Sequence, residues 1–293
     1  MNEMSPSNGA PAATPEVSRA KGMNEAERRY MQGDAQPVTS SVLISNSKYL
    51  NSPVYRDGWA QTSLRRLGHD ISRTYHIPLM AKAIADVVDY PAVFKLLQAE
   101  REKNPEFAAW LDERRLTSYN PAEMQHYADG TLGAAIREFL NQPGFEMEFT
   151  AKEVKPANDL EYLIKRYGNN HDIDHLVTGF GPNLAGEEAL AMASVTVASR
   201  FFTPELAQFI TQYQVFVSDG AYKRNAIHYP SVMTTFLEAM HLGIAAGLSM
   251  RKPLFMVQWE DYLDWQLDDI AADLGFSRGP GAAWDWTTEA ASG

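Results

Sequence analysis

Between residues 78 and 276 the apolar side chains recur at helical spacing, and nowhere do they alternate through a series of strands. A chain patterned this way buries stripes along cylinders rather than faces of a sheet. The expected fold is all-α, a single compact multi-helix domain with a flexible N-terminal tail. Residues 78–88 and 91–102 read as helices broken at Pro91. Asn104 and Pro105 form an N-cap and first-turn pair ahead of Phe107, Trp110 and Leu111. Residues 132–140 are short and amphipathic, and Asn158 or Asp159 opens a further helix. After a glycine-rich break at 179–186, helical patterns cover 187–200, 204–217 and 231–250. Leu263, Leu267, Ile270 and Leu274 then mark one face of a last helix. Residues 253–258 (PLFMVQ) are the one stretch that reads as a short strand.

Three segments follow. Residues 1–40, rich in Ser, Pro, Ala, Asn and charge, lack an apolar period and are expected to be a disordered tail. Residues 41–276 form the helical domain. Residues 277–293 form a C-terminal tail, whose Trp284 and Trp286 suit either packing back on the surface or anchoring to a partner or membrane.

The chain has no cysteine, which excludes disulfides, thiolate metal sites, iron–sulfur ligation and a cysteine nucleophile. A metal must then be held by His, Asp, Glu, backbone or water. The formal charge of -11 argues against nucleic acid as a partner, which needs a positive field. The apolar stretches 189–202 and 242–250 are interrupted or too short for the ~20 residues of a membrane span. The N-terminus has no apolar leader and carries Glu3 and Glu16, so a bacterial cytoplasmic location is expected. The glycines of GFGPNLAG (179–186) lack the strand–loop–helix setting of a nucleotide site.

The stretch that carries chemistry is NNHDIDHLVTGFGPNLAGEEALAMAS, 169–194. His171 and His175 are four residues apart, which on a helix means ~6 Å of rise and ~40° of rotation, so both rings face one way. That is how one helix offers two imidazoles to one metal. Asp172 and Asp174 flank the pair about equally on the wheel, and geometry alone does not choose between them. Glu187 and Glu188 open the next helix, and a helix–loop–helix can bring one of them back to the histidines. Two His and two carboxylates suit zinc, iron, manganese or cobalt. The bland alternative for Glu188 is a solvated acid in a first helical turn.

These residues resemble a known family. His171-Asp172-x-x-His175, eleven residues and then Glu187 is similar to the H-D-x-x-H-x11-E motif of the coenzyme Q biosynthesis protein four family. YADGTLGAAIREFL (127–140) resembles the family's segment upstream of that motif. GLSMRKPLFMVQWEDYLDWQLDDIAADLGF (247–276) resembles its C-terminal pattern. The resemblance implies an all-helical protein with His171, Asp172, His175 and Glu187 as ligands of a metal usually described as zinc. It implies a place at the membrane surface, peripheral to the bacterial inner membrane, among other ubiquinone-biosynthesis proteins. It further implies a prenylated aromatic lipid as ligand, and removal of the C1 carboxylate of a polyprenyl-hydroxybenzoate, with or without hydroxylation. The chain departs from the pattern at Asp174, where the family commonly has an aromatic or apolar residue. The extra carboxylate could change metal preference, supply a base or hydrogen-bond a ligand histidine.

Asp174 and Glu188 are the candidate catalytic residues, as proton carriers, and Arg251 and Lys252 the candidate holders of the substrate acid. Glu238 and His241, three apart on one face, suit a second metal or a buried hydrogen-bonded pair. His228 and Tyr229 read as a loop, and Lys223 with Arg224 as a second basic pair. His69, His76 and His126 have no partner at ligand spacing. The small residues of 190–202 suit core, or room for a prenyl tail. A metal-dependent decarboxylase, a non-catalytic prenyl-lipid organiser and a divergent paralogue on another substrate are the expected functions, with a homodimer among the expected states. A His-Asp phosphohydrolase fits poorly, because its ligands come from several helices.

Overall fold

Where two helices carry only small side chains at their contact, their backbones can approach closely, and one such contact lies at the centre of this structure. The computed structural model describes residues 47–66, 76–142 and 155–281, with Glu25, Arg28 and Arg29. The chain divides into Met1–Ile44 and Ser45–Gly293. In the first unit the three described residues are helical. The rest of the expected 1–40 tail, His69, Trp284 and Trp286 lie outside the described residues.

The described part of the second unit is all-α. Its helices are α1 (Lys48–Asn51), α2 (Pro53–Leu64), α3 (His76–Val87), α4 (Tyr90–Lys103), α5 (Pro105–Glu113), α6 (Leu132–Leu140), α7 (Asp159–Thr178), α8 (Leu184–Phe201), α9 (Pro204–His228), α10 (Met233–Ser249) and α11 (Leu267–Leu274). Side-chain caps start several of them: the oxygens of Asn104 and Asn158 accept from Phe107 and Glu161 backbone N–H groups. Among the described residues there is no strand, only an isolated antiparallel bridge between Thr131 and Gln266.

The central contact is α8 against α10. A Cβ added at Gly243 would stand 2.1 Å from the Ala189 carbonyl oxygen, so only glycine allows this approach. Gly247 packs in the same way on Ala193 and Thr196, so small residues of 190–202 serve helix packing. Helix α7 lies between two cores. Ile173 and Val177 enter one with Leu132, Ala189, Phe236 and Ile270. Leu160, Tyr162 and Leu163 enter the other with Phe107, Trp110, Leu206 and Phe255.

Several expectations are corrected. Residues 253–258 are not a strand. Leu254–Met256 is a 3-10 turn, because side chains of α7 take its carbonyls: Asn170 Nδ2 donates to Phe255 O at 3.2 Å and Arg166 to Val257 O at 2.9 Å. Helix α9 continues to His228, so His228 and the buried Tyr229 are a helix end rather than a loop. Leu263 precedes α11 rather than joining it. Residues Pro230–Ser249 are long and apolar enough to cross a membrane by length and composition alone. Glu238 and His241 are exposed on α10, neither a buried pair nor, among the described residues, part of a metal-competent cluster.

Candidate metal centre

The site is built at the junction of α7 and α8. Helix α7 stops at Gly179, whose φ of 69° is left-handed and whose N–H bonds His175 O. That turn presents the next carbonyl inward. Phe180 O accepts from His175 Nδ1 at 2.6 Å, which leaves Nε2 of this buried ring as a bare acceptor. Residues 278–281, expected to be a soft tail, dock here. Gly279 N donates to Thr178 O at 2.7 Å, and Arg278 donates to Val177 O at 3.0 Å and Leu176 O at 3.1 Å. A cation on the last carbonyls of a helix is favoured. Nothing in the sequence marks Arg278 for this role.

Helix α8 is capped by Asn183, whose side chain accepts from Gly186 N at 2.9 Å. Its first turn aims Glu187 back at α7. Glu187 Oε2 lies 3.4 Å from His171 Nε2, and Oε1 lies 3.4 Å from His175 Nε2. The imidazole rings stand edge to face, with centroids 4.6 Å apart. One ligand-type atom from each of the three residues lies within 4.8 Å of the others. Burial opposes charge on His171, but Asp172 and Glu187 outweigh it and push the ring up to about 10. Burial would raise Glu187, yet the two histidines hold it well below the usual carboxylate range.

His175 Nε2 is buried with no hydrogen-bond partner, and it faces another acceptor. A metal ion or a shared proton resolves two acceptors that face each other. The spacing fits a metal ion, because a tetrahedral site with bonds of ~2.1 Å has edges of ~3.4 Å.

The other expected site residues stand elsewhere. Asp172 Oδ1 lies 3.4 Å from His171 Nδ1, on the side of the ring away from Glu187. Asp174 is buried with Oδ1 unpartnered, lining a cavity of 10 Å³ with Tyr167, Ser194 and Phe255, the room of a single water. Burial raises its carboxyl well above the usual value, against the charge of His171. It bonds neither histidine: their Nδ1 atoms face Asp172 and Phe180 O. Glu188 is not a solvated acid. It is 3% exposed, and burial outweighs Ser218 and Arg224 to push it up to about 7. Arg251 faces Asp273 at 3.8 Å and Lys252 bonds Glu106 at 2.6 Å. Lys223 pairs with Asp219, while the buried Arg224 donates to Thr62 O at 2.7 Å. Tyr213 of α9 went unnoticed in the sequence. Burial raises its hydroxyl and the charge of Glu187 raises it further, so it stands near the ligands.

Over residues 75–280 the chain matches the family described as Coenzyme Q (ubiquinone) biosynthesis protein Coq4. No curated protein matches it. Its fold is similar to the crystal structure of a protein described as a candidate ubiquinone biosynthesis protein from Nostoc punctiforme. That likeness has a TM-score of 0.55 and 19% identity, and covers 79% of this chain and 98% of the other.

Proposed function

Since the chain belongs to the Coq4 family of coenzyme Q (ubiquinone) biosynthesis proteins, we propose that it acts in that pathway as a metal-dependent decarboxylase of a polyprenylated hydroxybenzoate. The observation that carries the metal is the unpartnered Nε2 of His175, fixed by Phe180 O and facing Glu187. His171, His175 and Glu187 would hold the ion, with Asp172 as the fourth ligand once its carboxylate leaves His171 Nδ1. A bound divalent ion supplies positive charge beside the electron density left on the ring when the carboxylate departs.

The chain's own residues do the rest. Phe180 O keeps His175 in one tautomer. Asp174 and Glu188, whose carboxyls burial holds toward the protonated form, are the reservoirs for the proton that replaces carbon dioxide on the ring. Each is the chain neighbour of a ligand, and a rotamer change or a water must link it to the reacting carbon. Arg251 and Lys252 take the substrate acid only if their pairs with Asp273 and Glu106 open. Zinc suits plain decarboxylation, whereas accompanying hydroxylation calls for iron, manganese or cobalt, or a partner that handles the oxidant. The protein works at the membrane surface with other proteins of the pathway.

One observation favours a second reading, a non-catalytic organiser that binds prenyl lipid. Neither Asp174 nor Glu188 faces the cluster formed by His171, His175 and Glu187. The test is a cell lacking the protein. It accumulates a carboxylated prenyl-aromatic acid, and Glu187→Ala fails to restore the downstream quinone. Normal quinone with Glu187→Ala would move the reading to the organiser.

A further inference from the structure

We propose that Arg278 is a positioning residue of the metal centre: it fixes the turn whose Phe180 carbonyl holds the His175 ring with Nε2 bare toward Glu187. Its effect on metal affinity rests on the metal reading above, and its effect on the His175 proton does not.

A helix end leaves carbonyls without donors inside the helix. At the end of α7, His175 O accepts from Gly179 N. The three carbonyls that follow, of Leu176, Val177 and Thr178, are taken by residues far along the chain. Arg278 Nη2 donates to Leu176 O at 3.1 Å and Arg278 Nε to Val177 O at 3.0 Å, and Gly279 N donates to Thr178 O at 2.7 Å. Gly281 N then donates to Gly179 O at 2.9 Å. One side chain and the two glycines after it thus close the end of the helix that carries both histidines.

The fit continues into Phe180. A Cβ added at Gly279 would stand 2.3 Å from Phe180 Cδ1, and one added at Gly179 would stand 3.1 Å from Gly279 O. The two backbones are in contact, and the buried Phe180 ring closes against Gly279. The carbonyl of that same residue accepts from His175 Nδ1 at 2.6 Å. Arg278 is tied in turn to α11, where Asp268 Oδ1 accepts from Nη1 at 2.9 Å. Asp268 is strongly exposed, so this pair contributes little, and the bonds to the α7 carbonyls carry the effect.

The consequence is chemical. A neutral imidazole has one N–H, and the Phe180 carbonyl claims it for Nδ1. Without that carbonyl the proton is free to settle on Nε2, where Glu187 accepts it and the nitrogen is closed to a metal. Groups that orient a ligand histidine change metal affinity by ~10–100-fold. Arg278 acts through one such group, so the lower end of that range is expected.

The test uses the full chain, freed of metal and titrated with cobalt(II), with nitrogen NMR of the histidine rings in the metal-free state. Wild type binds one cobalt per chain and shows the His175 proton on Nδ1. Arg278→Met binds about tenfold more weakly, and its His175 proton shifts toward Nε2, at unchanged helix content by circular dichroism. Arg278→Lys, whose ammonium reaches one of the carbonyls, recovers most of both. Should Arg278→Met unfold, Gly279→Ala, which presses a methyl into Phe180, reads the same two quantities. Equal cobalt affinity or an unmoved His175 proton in the variant overturns the proposal. A wild type that binds no cobalt contradicts the metal reading instead, and the position of the His175 proton then decides the role of Arg278.

Discussion

Two of the buried polar groups on helix α7, Arg166 and His175, lie less than three turns apart and are completed differently. The two terminal nitrogens of Arg166 are matched from within the fold, and only its Nε lacks a partner. Its guanidinium grips Glu260 at 2.8 and 3.0 Å and also donates to Val257 O and Gln258 Oε1. His175 is finished on one side only: Phe180 O takes Nδ1, while Nε2 has no partner and faces Glu187. The first arrangement closes the fold over its own charges. The second leaves room for a cation that the chain does not supply. Burial alone therefore does not separate structural polar groups from binding groups; what sets His175 apart is an unmatched nitrogen that faces a carboxylate oxygen.

Breaking the finished group should cost most. Arg166→Ala strands Glu260 in a nearly buried position, and removal of one partner from such a pair costs ~3–5 kcal/mol. Chemical denaturation should show that loss, and metal content per folded chain should not change. The same pair leaves a pH signature. Burial would raise Glu260, but Arg166 more than offsets it and brings it down to about 2. A depressed carboxylate stabilises the fold above its unfolded value, and the stabilisation is lost as pH falls through the folded one. Stability should thus drop between about pH 4.5 and 2, and Arg166→Met should flatten that part of the profile.

Next in size is the contact that holds α8 in place. Gly243→Ala pushes a methyl into the Ala189 carbonyl and should cost ~1–3 kcal/mol, read as a lower melting temperature. Asn183→Ala removes the cap at the start of the Glu187 helix. The expected loss is ~1 kcal/mol, with weaker metal binding measured by chelator competition. A stability loss with metal affinity unchanged would separate the cap from the site. The smallest effect is expected at Asp174→Leu. Replacing a buried carboxyl that has one oxygen unpartnered should leave metal content intact and stability equal or higher. Loss of the metal would transfer the ligand role from Asp172 to Asp174.

Much of this contrast was legible in the sequence. Asn104 and Asn158 announced helix starts because side-chain caps are local chemistry. The spacing of His171 and His175, with Glu187 one short loop away, brought three side chains together because helix geometry fixes their direction. What stayed hidden depends on partners remote in sequence. The Leu254–Met256 turn reads as a strand until Arg166 and Asn170 are seen to hold its carbonyls. Helix α9 seemed to stop before Gly220, yet that glycine lies inside it, with Thr62 of α2 packed close by. Glu188 looked solvated because its partners, Ser218 and Arg224, lie a helix away.

The central claim is that His171, His175 with its unpartnered Nε2, and Glu187 hold a metal ion. The most direct measurement is elemental analysis of protein purified without chelators, wild type beside His175→Ala, with circular dichroism to confirm that both are helical. The account predicts one divalent transition metal per wild-type chain and a trace or none in the variant. A metal-free wild type, or full occupancy in His175→Ala, would contradict it.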